Sequence, residues 1–183
     1  MTGLLSSAAL AVLIGWVIYA LASLAMSVPM AAGLGAVIGL SAVMFAPGSM
    51  AVGGLVAVLA PFGVMLPALA LRHVGIGFGL PVVPFSNAEL IVFLIAYLAF
   101  LSAAMGVIPV DLYRYGYAPV PVAIMVLAIC AYGLATGNPF LPLVAVCAQL
   151  VWMLGWGSSN WFDGVLHLAL VPVCIVVLIQ RMF

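Results

Sequence analysis

The chain has 183 residues, 69% of them hydrophobic and 3% charged, with a mean hydropathy of +1.52. A soluble domain carries about a quarter of its residues as charges, so this sequence has no means of covering itself against water. Three arginines offset three acids and no lysine is present, so an extended basic surface of the kind that attracts nucleic acid or a layer of acidic headgroups is absent.

Composition therefore defines an all-α, polytopic transmembrane helical bundle whose immediate partner is the lipid bilayer. Length predicts one integral membrane domain over residues 1–183, at roughly 100 to 200 residues per domain. The apolar run from Leu4 has no cation before it and is longer than the about 7 to 15 residues of a signal-peptide core. It is expected to be a mature span.

Crossing the hydrocarbon takes about 20 apolar residues, and Pro, Gly and polar breaks divide the chain accordingly. The first span covers 4–27 and stops at Ser27-Val28-Pro29. The second, 30–46, is short and ends at Pro47-Gly48. Ala31, Gly35 and Gly39 recur every fourth position on one of its faces, where a neighbouring backbone can approach closely. That face suits a helix–helix contact, or a re-entrant or pore-lining segment.

The third span, 49–71, carries Pro61 and Pro67, each of which removes a backbone donor and bends a helix. Arg72 and His73 close it at the interface, where a long cationic side chain reaches the headgroups. Residues 74–85, with three Gly and two Pro, predict a segment lying in the interface or folding back on the bundle. Ser86 and Glu89 then form a capping-box pattern ahead of the fourth span, 88–109, which holds Tyr97 and Ser102.

The loop that follows contains Asp111, Arg114 and three tyrosines, residues suited to the membrane surface. Asp111 and Arg114 are spaced to pair. The fifth span, 118–136, stops at Thr136-Gly137-Asn138-Pro139, a strong turn signal. The sixth covers 139–157 and the seventh 161–182. Seven spans are predicted, or six if the short second segment does not cross.

Arg72 and Arg181 fall on one side of this arrangement and Arg114 on the other, so the positive-inside rule puts the C-terminus in the cytoplasm. The expected location is the bacterial cytoplasmic (inner) membrane. Cys130, Cys147 and Cys174 each lie in apolar runs without metal-site spacing and read as small buried residues.

Polar and aromatic side chains concentrate between Gln149 and His167. Gln149, Trp152 and Trp156 lie at helical spacing on one face, and a mid-membrane amide needs a partner or a wet pathway. With Tyr97 and Ser102 they are the candidate pore- or substrate-lining residues. Asn160 is positioned to cap the seventh span, leaving Asp163 and His167 four apart as a candidate proton-sensitive pair. A nearby carboxylate would raise the histidine pKa above its reference of about 6.5. The alternative is a neutral imidazole simply hydrogen-bonded to Asp163.

No metal or cofactor is expected: the two histidines fall at opposite surfaces, which disfavours haem, and no hydrolytic constellation or phosphate loop is present. Catalysis is not the expected role.

Ala96-Tyr97-Leu98, the tyrosine-rich loop, Leu150-Val151-Trp152 and Gly155-Trp156-Gly157 resemble the amide and urea channel family linked to amidases and ureases. The resemblance covers roughly seventy residues. It implies six-helix inner-membrane channels in ring-shaped hexamers with aromatic constrictions. This chain departs from that pattern in the segment at 49–71 and in lacking an acid in the sixth span, and no site residue is carried over.

The expected function is a channel or facilitator for a small, mostly uncharged solute, working as a homo-oligomer. Selectivity would come from pore width and a few hydrogen-bonding groups. The alternative is a non-catalytic subunit packed within a larger membrane complex.

Overall fold

A computed structural model describes residues 2–45, 49–59 and 63–183. The described residues fold into helices, with no strand among them. In chain order these are α1 (Thr2–Ala22), α2 (Val28–Phe45), α3 (Met50–Leu59), α4 (Met65–Gly77), α5 (Asn87–Ala104), α6 (Pro119–Thr136), α7 (Phe140–Met153), α8 (Trp161–Val165) and α9 (Leu170–Gln180). A 3₁₀ turn, Tyr113–Tyr117, precedes α6.

Four of these, α1, α2, α5 and α6, are long and apolar enough to cross a membrane. Between 11 and 28% of each is buried inside the bundle. Their remaining surface is apolar and turned outward, as hydrocarbon solvent demands. The second segment is therefore not too short: α2 has 18 residues, because it begins two residues earlier than the sequence pattern placed it, with Pro29 in its first turn where a missing N–H costs no bond.

The small-residue face of α2 is a helix contact. Ala31, Gly35 and Gly39 are its buried residues and they lie on α1. A Cβ at Gly15 would stand 2.9 Å from the Gly35 carbonyl oxygen, and one at Gly39 would run into the Ala11 carbonyl oxygen. Backbone meets backbone here, the packing that small residues allow in lipid.

Two predicted spans are broken. The third divides into α3 and α4; Pro61, like Pro47 and Gly48, lies outside the described residues. Pro67 does not kink α4, since it is the third helical residue, and α4 continues past Arg72 and His73 to Gly77. The seventh divides into α8 and α9. Leu166 is extended, with φ −93° and ψ 153°, and the Ala169 N–H donates to His167 Nδ1 at 3.0 Å. Pro172, unable to bond back to the carbonyl four residues earlier, falls in the first turn of α9, so the helix restarts immediately before it.

The two breaks meet. The Val64 N–H donates to the Gly164 carbonyl at 2.7 Å, and a Cβ on Gly63 would contact the Val165 and Leu166 carbonyl oxygens at 2.8 Å. Val165 packs here with Val122, Val144, Ala148 and Trp161.

Helices α5 and α7 end earlier than predicted for one shared reason. Gly106 (φ +76°) and Gly155 (φ +64°) adopt the left-handed conformation, and the following N–H groups bond back, Val107 to the Ser102 carbonyl and Trp156 to the Val151 carbonyl. These bonds close a Schellman motif that glycine supplies without a Cβ penalty.

Side-chain bonds gather the helix ends. Arg72 of α4 donates to the Val83 carbonyl, Arg181 after α9 donates to the Phe85 carbonyl at 2.7 Å, and Tyr132 of α6 donates to Glu89 of α5 at 2.7 Å. At the same end, Trp16 of α1 donates from Nε1 to His73 Nδ1 at 2.8 Å. The segment predicted over 74–85 begins later, because α4 runs on to Gly77; residues 78–86 form a strap held to the bundle by Arg72 and Arg181. The capping box is complete: Ser86 Oγ accepts from Glu89 N while Glu89 Oε2 accepts from Ser86 N.

Candidate functional site

Two polar constellations occupy opposite ends of the bundle. The first is built on the turn before α8. Asn160, fully buried, caps α8 by accepting from Phe162 N at 2.9 Å, and its Nδ2 donates to the Tyr113 carbonyl at 2.8 Å. Asp163 Oδ2 accepts from the Tyr113 hydroxyl and from Ser158 Oγ, each at 2.6 Å. Trp152 Nε1 donates to the Ser159 carbonyl at 2.8 Å. Burial pushes the Tyr113 phenol above its ordinary pKa, and the hydrogen bond to Asp163 adds to the rise.

Asp163 lies in α8, which ends at Val165, and His167 falls in the turn before α9; the Asp163 carboxylate accepts from Tyr113 and Ser158. Because α7 ends at Met153, Trp156 lies beyond the helix that carries Gln149 and Trp152. The Gln149 Oε1 atom is buried without a hydrogen-bond partner. Ser102 Oγ donates to the Leu98 carbonyl of its own helix at 2.8 Å. Asp111 pairs with backbone: its Oδ1 accepts from Arg114 N at 3.1 Å, and the Arg114 guanidinium sits 5.0 Å over the Tyr115 ring.

Tyr97 is buried at 6% exposure in a run of rings along α5. It lies 5.5 Å from Phe93 and 6.3 Å from Phe100 between centroids, and Phe100 lies 4.5 Å from Phe162. Offset contacts of this kind contribute about 0.5–1.5 kcal/mol each beyond area burial.

The second constellation is a cavity of about 720 Å³ between α4, α5 and α9, inside the range of roughly 300–1,000 Å³ usual for ligand sites. Its wall is mainly aliphatic, lined by Met65 and Leu69 of α4, Val173 and Cys174 of α9 and, with its ring, Phe93 of α5. Arg72, Glu89, Tyr132 and Arg181 also line it. None of Gln149, Trp152, Trp156, Tyr97 and Ser102 lies in this wall.

The sequence pattern assigned Arg72 to the interface and Glu89 to a cap, of which the cap is present, and missed that the strap brings the two together with Arg181. Span counting already put the two arginines on one side. Tyr113 and Ser158 were missed outright; an unbroken Ser158-Ser159-Asn160 beside an acid is the signal that could have found them. Among the described residues, no three His, Cys, Asp or Glu side chains gather to hold a metal ion.

No family model matches the chain, and neither the curated proteins nor the solved structures yield a match. The likeness to amide and urea channels gains no support from these comparisons, and function must be argued from geometry. The described residues form an all-helical structure in which four helices are long and apolar enough to cross a membrane, as a helical membrane protein requires.

Proposed function

We propose that the protein is a membrane facilitator for a small, weakly polar substrate, and that the substrate enters through the cavity between α4, α5 and α9. The cavity carries this reading. It runs from Arg181 to Leu170, 11 residues or roughly 16 Å at 1.5 Å per residue, about half of a ~30 Å hydrocarbon core. Its Met65–Leu170 end lies at the first turns of α4 and α9, next to the paired helix breaks.

Irregular backbone at membrane depth is tolerated where protein encloses it or where it borders a passage, and broken helices commonly mark transporter sites. From Phe93 in the cavity wall, the rings of Tyr97, Phe100 and Phe162 lead toward the Asp163 cluster at the far end. Tyr97 keeps its place as a candidate lining residue through this run of rings; Gln149 and Trp152 belong to α7.

The accompanying topology is seven crossings, with α3–α4 and α8–α9 each forming one broken crossing. The Arg72–Arg181 end then faces the cytoplasm by the positive-inside rule, in a bacterial inner membrane. Outward residues of α2 such as Val37, Leu40 and Met44 would serve a homo-oligomer, or the second reading of a subunit within a larger complex.

Proteoliposome flux of a panel of small neutral solutes tests the proposal. Flux should exceed that of protein-free vesicles and fall several-fold in Val173→Trp, which fills the cavity. Flux no greater than in protein-free vesicles overturns it. Flux unchanged by Val173→Trp but abolished by Gln149→Leu with Trp152→Ala would move the passage to α7.

A further inference from the structure

We propose that the cavity binds an anionic amphiphile, with Arg72 and Arg181 taking a phosphate or carboxylate head and the aliphatic wall taking one chain. This rests on the cavity being a binding site, and goes beyond the neutral solutes above to a charged ligand held at its Arg72–Arg181 end.

The mouth is preorganised for an anion. The Arg72 guanidinium lies over the Phe85 and Phe140 rings, 4.7 and 5.2 Å from their centroids. It spends one terminal nitrogen on the Val83 carbonyl at 2.5 Å, and its buried Nε has no hydrogen-bond partner. A guanidinium so clamped loses little further freedom on meeting a ligand. Arg181 uses Nη1 on the Phe85 carbonyl and on Asn87 Oδ1 at 2.8 Å, so both cations are anchored to the same strap.

Glu89 is the carboxylate in this wall. Its Oε2 accepts from Ser86 N at 2.6 Å and its Oε1 from the Tyr132 hydroxyl at 2.7 Å. Two cations against one carboxylate, already bonded through both oxygens, leave a surplus positive charge at the mouth. Charge-assisted hydrogen bonds to phosphate or carboxylate are the strong class available to such a site.

An inorganic anion would leave the aliphatic wall uncovered, and a neutral hydrocarbon would leave the Arg72 and Arg181 guanidinium groups without an anion. A head with a chain satisfies both. The roughly 16 Å that the lining residues span along α9, at 1.5 Å per residue, is comparable with one leaflet of a ~30 Å core.

The test is calorimetric titration of the full chain in a neutral maltoside detergent. The probes are dodecyl phosphate, dodecyl glucoside and inorganic phosphate, each titrated into wild type, Arg181→Gln and Val173→Trp. Dodecyl phosphate is expected to bind one per chain, at least tenfold more tightly than the other two, and to weaken tenfold or more in Arg181→Gln. Unaltered monodisperse elution and circular dichroism show that each variant folds.

Equal affinity for dodecyl phosphate and dodecyl glucoside overturns the anionic head while leaving the cavity as the site. Equal affinity for dodecyl phosphate and inorganic phosphate overturns the amphiphile. Binding insensitive to Val173→Trp overturns the cavity itself. The lipid extract of the purified protein separates two sources of the same chemistry: about one anionic phospholipid per chain assigns the site to bilayer lipid, and its absence alongside dodecyl phosphate binding assigns it to a free amphiphile.

Discussion

Replacing Asn160 by alanine removes three contributions at one point. The side-chain oxygen caps α8 through Phe162 N, and losing such a cap costs about 1 kcal/mol. The amide nitrogen bonds the Tyr113 carbonyl at 2.8 Å; a buried bond of this kind contributes about 1 kcal/mol net, and an acceptor left unpaired costs about 1–3 kcal/mol. Asn160 also fills the space against Gly116, where even a Cβ would strike its Oδ1.

The sum is about 3 kcal/mol from these capping and hydrogen-bond terms. At roughly 2–4 °C per kcal/mol for a chain of this size, the midpoint of thermal unfolding in detergent should fall by about 6–12 °C. Asn160→Ser keeps the cap and loses the amide donor, and so should recover about 1 kcal/mol of the loss. An Asn160→Ala midpoint within ~2 °C of wild type on the same scale would refute the reasoning, as would full recovery in Asn160→Ser.

Gly39→Val should destabilise the protein by about 1–3 kcal/mol, because the added carbon meets the Ala11 backbone, which cannot rotate away; thermal unfolding unchanged from wild type would contradict this. Tyr113 has its folded pKa raised by burial and by Asp163, so the folded state holds this proton more tightly than the unfolded state. The resulting stability is complete below the unfolded value of about 10 and is lost as pH rises through the folded one. Unfolding midpoints between pH 9 and 11 should therefore drop more steeply for wild type than for Tyr113→Phe, and parallel curves would count against the bond. Gln149→Leu should be neutral or stabilising by up to about 1 kcal/mol, since it removes a buried oxygen without a partner; a loss above ~1.5 kcal/mol would show that the amide is bonded.

Local features were legible in the sequence where one short segment decides them. The Ser86–Glu89 capping box, the Asn160 cap and the Gly137 turn each depend on groups within a few residues. The small-residue face of α2 was equally legible, since side-chain size alone dictates how near another backbone can come. Helix ends at Gly106 and Gly155 were overrun because the apolar pattern continues past both glycines. Hydropathy reports the solvent a residue prefers and not the φ that its neighbour requires.

Composition by itself pointed to hydrocarbon around this chain, since 69% hydrophobic and 3% charged residues suit lipid far better than water. It also determined that helices, which satisfy their own backbone, would be the answer. Only the tertiary structure decided where helices break, because Val64 bonds Gly164 a hundred residues away. It alone decided that Arg72, Glu89 and Arg181 share a cavity. The physical reason is the same in both cases: periodicity carries the preference of each residue for lipid, while a site is made by contacts between segments that no local pattern can register.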